Sequence, residues 1–134
     1  MTDSEQTVPP FSDLGLGDEL LRALDELGYE EPTPIQVAAI PPLLEGKDVI
    51  GSAATGTGKT AAFALPMVQM IEPGDGGVQA LVLAPTRELA VQVAEAIHRY
   101  GRFRSVKVLP VYGGQSIDRQ LGALRRGVHV VVGT

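Results

Sequence analysis

The stretch Ala53-Ala54-Thr55-Gly56-Thr57-Gly58-Lys59-Thr60 follows an apolar run, Asp48-Val49-Ile50-Gly51-Ser52, and this succession restricts the architectures open to the chain more than any other feature. The run reads as a buried strand, the glycines as a loop, and the residues from Lys59 onward as a helix. Strand, glycine-punctuated loop and helix in that order build a phosphate cradle. Gly56 and Gly58 can take positive φ and bring backbone N–H groups close to an anion, and the helix N-terminus adds its partial positive charge. Lys59 would place an ammonium on the β- and γ-phosphates, and Thr60 a hydroxyl on Mg²⁺. Ala53 stands where the strict pattern has glycine. The competing reading of these residues alone is a glycine-rich turn capping an Ala-rich helix.

The rest of the 134-residue chain alternates in period. Asp18 onward, with Leu20, Leu21, Leu24 and Leu27 on one stripe and Gly28 as a stop, predicts a helix. Thr33 as N-cap and Pro34 at the first helical position predict a second, disturbed at Pro41-Pro42. Pro66 is expected to kink or end the helix after the phosphate loop near Leu65. Pro73 to Gly77 is a surface loop. Ala80–Ala84, Val106–Val111 and Val128–Val132 are short apolar runs rich in β-branched residues, separated by helical patterns at about residues 88–100 and 116–126. Strands apolar on both faces, alternating with helices, describe a parallel sheet covered on each side, an α/β fold.

Composition narrows the class. An apolar content of 44% supports a real core, and the absence of cysteine excludes a disulfide framework and a thiolate metal site. No apolar run approaches the ~18 residues of a membrane span, and residues 1–10 lack the apolar core of a signal peptide, so a cytoplasmic location and no membrane partner are the default. His98 and His129 have no ligand-spaced partners and read as ordinary surface or core histidines. The net charge of −5 hides an asymmetry: residues 1–75 hold 13 acids and 3 bases, residues 76–134 hold 3 acids and 8 bases. The basic half permits a polyanion to bind on one side; solvated helix-end and loop charges are the plainer alternative.

Four further motifs give the phosphate loop a context. Gly28-Tyr29-Glu30-Glu31-Pro32-Thr33-Pro34-Ile35-Gln36, with Phe11 lying 17 positions before Gly28, resembles the Q motif of DEAD-box RNA helicases. Pro85-Thr86-Arg87-Glu88-Leu89-Ala90 resembles that family's motif Ia, Gly113-Gly114 its GG element, and Val132-Gly133-Thr134 the lead-in to motif Ib, whose first residue would be Thr134. The resemblance extends over nearly all of the chain after residue 10. It implies a RecA-like P-loop NTPase fold, here an incomplete domain: a disordered tail at 1–10, a Q-motif helical region at 11–47, and a partial first RecA-like domain at 48–134 that ends before the DEAD motif.

The resemblance also implies roles. The expected cofactors are ATP and Mg²⁺. Gln36 would read adenine, since one planar amide serves both the N6 donor and the N7 acceptor. Tyr29 would stack on the ring, Phe11 pack behind it, and Thr33 serve twice, capping its helix and bonding the phosphate loop. Ala53, Ala54, Thr55, Gly56, Thr57, Gly58, Lys59 and Thr60 would hold the phosphates, with Lys59 and Thr60 as the catalytic pair and Thr60 on the metal. RNA would meet the chain through its backbone at Pro85, Thr86, Arg87, Gly113, Gly114, Gln115 and Thr134, because helix N-termini and glycine turns contact phosphate without reading sequence. The parent activity implied is an ATP-dependent RNA helicase that remodels RNA duplexes. Without the acidic tetrad and the second domain, the segment in hand is expected to bind ATP and RNA without turnover. A different P-loop enzyme, such as a small kinase or DNA helicase, leaves Gln36, Phe11 and Tyr29 unexplained.

Overall fold

The computed structural model describes residues 7–56 and 58–134; residues 1–6 of the tail expected at 1–10 and the phosphate-loop residue Thr57 lie outside the described residues. Three helices precede the sheet: α1 (Asp18–Glu26), α2 (Pro34–Leu44) and α3 (Lys59–Met70). A single 3₁₀ turn at Phe11–Leu14 leads into them. Then β1 (Ala80–Leu83), α4 (Arg87–Tyr100), β2 (Val108–Val111), α5 (Ile117–Arg126) and β3 (Val130–Gly133) alternate. The strands form one parallel sheet in the order β1-β3-β2, with Ala80 and Val108 both paired to Val130. The chain steps outward through α4 and back through α5, so right-handed crossovers place these two helices on opposite faces of the sheet.

The core lies between the sheet and the first four helices. Val130 and Val132 of the central strand are fully buried and join Ala90, Val93 and Ile97 of α4, Ala64, Leu65 and Val68 of α3, and Leu20 and Leu24 of α1. Arg104, in the turn between α4 and β2, ties this assembly at its rim, donating to Glu19 Oε2 at 2.9 Å and to the Ile71 carbonyl at 2.6 Å. His129 is a core histidine, as expected: its Nδ1 accepts from the Lys107 N–H, and its Nε2 lies 3.2 Å from the Pro73 carbonyl.

Three local expectations are corrected. α2 runs through Pro41 and Pro42 to Leu44. Ala39 and Ile40 are buried, and the Pro41 and Pro42 carbonyls still accept from Glu45 and Lys47. The prolines lose donors but not acceptors, and packing keeps the turn. α3 likewise continues past Pro66 to Met70, because Ala61, Ala64, Leu65, Pro66 and Val68 are all buried in the same core. Tertiary burial outweighs local propensity here.

The third correction concerns residues 48–52, which form no strand. A strand exists through its ladder, and no described residue pairs with this segment. Its Val49 and Ile50 are exposed, as are Leu81 and Leu83, which share one face of β1.

Candidate functional site

The phosphate loop ends in a junction built from two helix N-termini. Gly58 precedes α3 in the left-handed region (φ 81°), and no side chain caps the helix, so its first N–H groups point outward at the positive end of the dipole. Lys59 is exposed and Thr60 half-buried at the same end. No ion pair among the described residues engages Lys59. Ala53 is half-buried, whereas Ala54, Thr55 and Gly56 are exposed.

Gln36, at the first turn of α2, is buried to 3% and spans this junction. Its Oε1 accepts from the Thr33 N–H at 2.9 Å, and its Nε2 donates to the Gly58 carbonyl at 3.1 Å. Gln36 therefore makes a bond to the phosphate loop, and Thr33, the N-cap of α2, faces Gln36 in a reciprocal capping box with its Oγ1 buried beside the junction. Glycine is required at 58 on two counts: the positive φ, and a Cβ there would collide with Gln36 Nε2.

The aromatic residues form a second cluster on the same cleft. Tyr29 is 39% exposed, and its ring centroid lies 6.3 Å from that of buried Phe11 and 6.0 Å from that of Tyr100, the latter pair edge-on at 74°. The Tyr29 and Tyr100 hydroxyls are hydrogen-bonded at 2.8 Å. Burial first, and then this bond to Tyr29, hold the Tyr100 phenol well above its ordinary range. Tyr100 escapes sequence reasoning: it ends an amphipathic helix 71 residues from Tyr29, and no motif marks it. Tyr29, Ile35, Gly56, Lys59, Thr60 and Tyr100 open on one cleft of about 820 Å³, bounded on its far side by Val82 and Leu83 of β1.

The residues expected to face a nucleic acid are not among those lining this cleft, although Ala84 and Leu89 on either side of Pro85–Arg87 are. Thr86 caps α4, its Oγ1 accepting from the Leu89 N–H at 3.1 Å. Pro85, Thr86 and Arg87 are exposed, as are Gly113, Gly114 and Gln115. Gly114 takes a φ of 89°, and a Cβ on it would stand 3.2 Å from Arg87 Nη1, so the two motifs meet side by side. Gln115 is held by the Tyr112 hydroxyl at 2.7 Å and by Gln120 Nε2 at 3.2 Å. Ser116 caps α5. Thr134 is exposed, and its N–H donates to the Val111 carbonyl at 3.3 Å, which keeps it at the same end of the sheet as the strand leading to Gly113.

Comparisons with known proteins agree with this geometry. A DEAD/DEAH box helicase family model matches residues 33–134. The DEAD-box ATP-dependent RNA helicase CshA of Geobacillus kaustophilus is 54% identical over 124 residues, covering 92% of this chain and 27% of that protein. The chain thus spans about a quarter of that relative's length. Among solved structures, a DEAD box protein from the hyperthermophile Methanococcus jannaschii superposes with a TM-score of 0.88 at 40% identity, covering 93% of this chain and 34% of the other. The RNA helicase Prp28 from Chaetomium thermophilum, bound to ADP, superposes with a TM-score of 0.82 at 42% identity over 92% of this chain and 31% of that one. The α/β fold with its parallel sheet is therefore that of a RecA-like helicase domain. With the matched region running from the Thr33 junction through every strand of the sheet, the chain belongs to the DEAD/DEAH box helicase family.

Proposed function

We propose that this chain binds ATP with Mg²⁺ at the Gln36–Gly58 junction and an RNA backbone across Thr86–Arg87 and Gly113–Gln115, as the N-terminal part of an ATP-dependent RNA helicase. The observation that carries the reading is the 3.1 Å bond from Gln36 Nε2 to the Gly58 carbonyl, which sets the base-reading segment directly against the phosphate loop. The residues present suit a nucleoside triphosphate: a helix N-terminus with no side-chain cap, a lysine in no ion pair among the described residues, open space around Gly56, and a threonine hydroxyl buried at the junction.

Each residue then has a task. The loop Ala53–Thr60 and the α3 N-terminus receive the phosphates, Lys59 neutralises them, and Thr60 holds the metal. Gln36 turns part of its amide from the loop to the base, selecting adenine, while Tyr29 stacks on it over Phe11. ATP with Mg²⁺ supplies the phosphoryl-transfer chemistry that resets the cycle. Pro85, Thr86, Arg87, Gly113, Gly114, Gln115 and Thr134 contact phosphate and sugar, which fixes register without reading sequence. The division at residue 47 between a Q-motif region and the RecA-like part belongs to the same proposal, as does RNA duplex remodelling by the complete protein.

Titration calorimetry of the complete polypeptide with ATP and Mg²⁺ tests the reading. Binding is expected, weakened at least about tenfold in Lys59→Ala by loss of a charge-assisted contact. Gln36→Ala is expected to erase the preference for ATP over GTP; an unchanged preference refutes the adenine assignment. An ATPase assay with and without RNA separates a helicase from a module that binds without turnover.

A further inference from the structure

We propose that Tyr100 is a positioning residue for nucleotide binding: its hydroxyl holds the Tyr29 ring in the attitude needed to stack on a base. The inference rests on the reading that Tyr29 is the stacking residue, and adds the group that orients it. Tyr29 stands in the coil between α1 and α2, 39% exposed, with no helix or strand to fix its side chain. Two contacts do so instead. Phe11 packs against one side of the ring, and Tyr100, itself 4% exposed at the end of α4, meets it edge-on and bonds its hydroxyl at 2.8 Å.

This arrangement has a directional logic. An apolar neighbour limits where a ring can go but leaves it free to slide, whereas a hydroxyl pair pins the far end of the ring and the edge-on Tyr100 ring limits its tilt. Tyr100 is buried in the same core cluster as Val93 and Ile97 whereas Tyr29 is exposed, so Tyr100 is the anchor and Tyr29 the anchored group. A ring already held in its binding attitude loses less conformational freedom when a base arrives. α4 is also the helix whose opposite end, about 21 Å away at 1.5 Å per residue, carries Thr86 and Arg87. The base-stacking ring is thus fastened to the rigid element that presents the proposed RNA contacts.

The test uses hydroxyl-only changes and two ligands. Affinity of the complete polypeptide for ATP and for inorganic tripolyphosphate is measured by calorimetry in wild type, Tyr100→Phe, Tyr29→Phe, the double variant and Tyr29→Ala. Loss of one hydrogen bond that orders the ring is expected to weaken ATP about three- to tenfold in Tyr100→Phe, equally in Tyr29→Phe, and no further in the double variant. Tripolyphosphate, which lacks a base, is expected to bind unchanged. In the nucleotide-free protein, Tyr100→Phe is also expected to increase the mobility of the Tyr29 ring, read from its NMR relaxation. ATP affinity unaltered in Tyr100→Phe but lost in Tyr29→Ala overturns the positioning role and leaves the stacking reading intact. Equal weakening of ATP and tripolyphosphate in Tyr100→Phe overturns it too, by showing a general disturbance. ATP affinity unaltered in Tyr29→Ala refutes the stacking reading itself.

Discussion

Replacing Gly58 by alanine probes the junction on which the nucleotide site depends. Two penalties follow from the structure. The left-handed backbone at φ 81° costs an L-residue roughly 1–2 kcal/mol. The new methyl would also collide with Gln36 Nε2, forcing the buried amide away from the Gly58 carbonyl and leaving polar groups unpaired, a further cost of about 1–3 kcal/mol. The total is about 2–5 kcal/mol of stability, read from urea unfolding of the complete polypeptide. The two contributions separate in a double-mutant cycle. Gln36→Ala removes the colliding atom, so in that background the cost of Gly58→Ala is expected to fall towards the backbone term of about 1–2 kcal/mol, with the 3.2 Å approach to Thr33 Oγ1 remaining. A cost that is the same with and without the Gln36 side chain would show that the two residues do not press on one another, and the junction described above would be wrong.

Two further outcomes follow from single contacts. Tyr100 favours its neutral form in the folded chain, so the stability it contributes is fully present below the ordinary tyrosine value of 10.0 and declines as pH rises above it; Tyr100→Phe is expected to flatten that alkaline decline in thermal melts, and an identical decline would place its cause elsewhere. Thr86→Ala removes the hydroxyl that accepts from the Leu89 N–H and is expected to lower stability by about 0.5–2 kcal/mol in urea unfolding, whereas Thr86→Ser, which keeps the oxygen, is expected to stay near wild type.

Much of this molecule is written in local residue order, because the physics involved is local. The stops and starts at Gly28, Thr33, Thr86 and Ser116 are where the helices change, since capping acts within three or four residues of the chain. The three β-branched runs became the three strands for a similar reason: short continuous apolar runs favour a parallel ladder, although Leu81 and Leu83 leave one face of β1 exposed. The class, the order of elements from Ala80 onward and the glycine-punctuated loop could all be read before any contact was known.

What distance in space decides was not legible. Pro41, Pro42 and Pro66 look like breaks until the burial of their neighbours is seen to hold the helices together. The Asp48–Ser52 run has strand composition, yet composition cannot supply a partner, and the segment stays unpaired. The sequence points to Gln36 as a functional side chain, but only packing brings its amide to Gly58, 22 residues on. Tyr100 meets Tyr29 across 71 residues. Periodicity and caps report what a segment does with its near neighbours; which distant atoms then complete a hydrogen bond depends on how the finished layers stack.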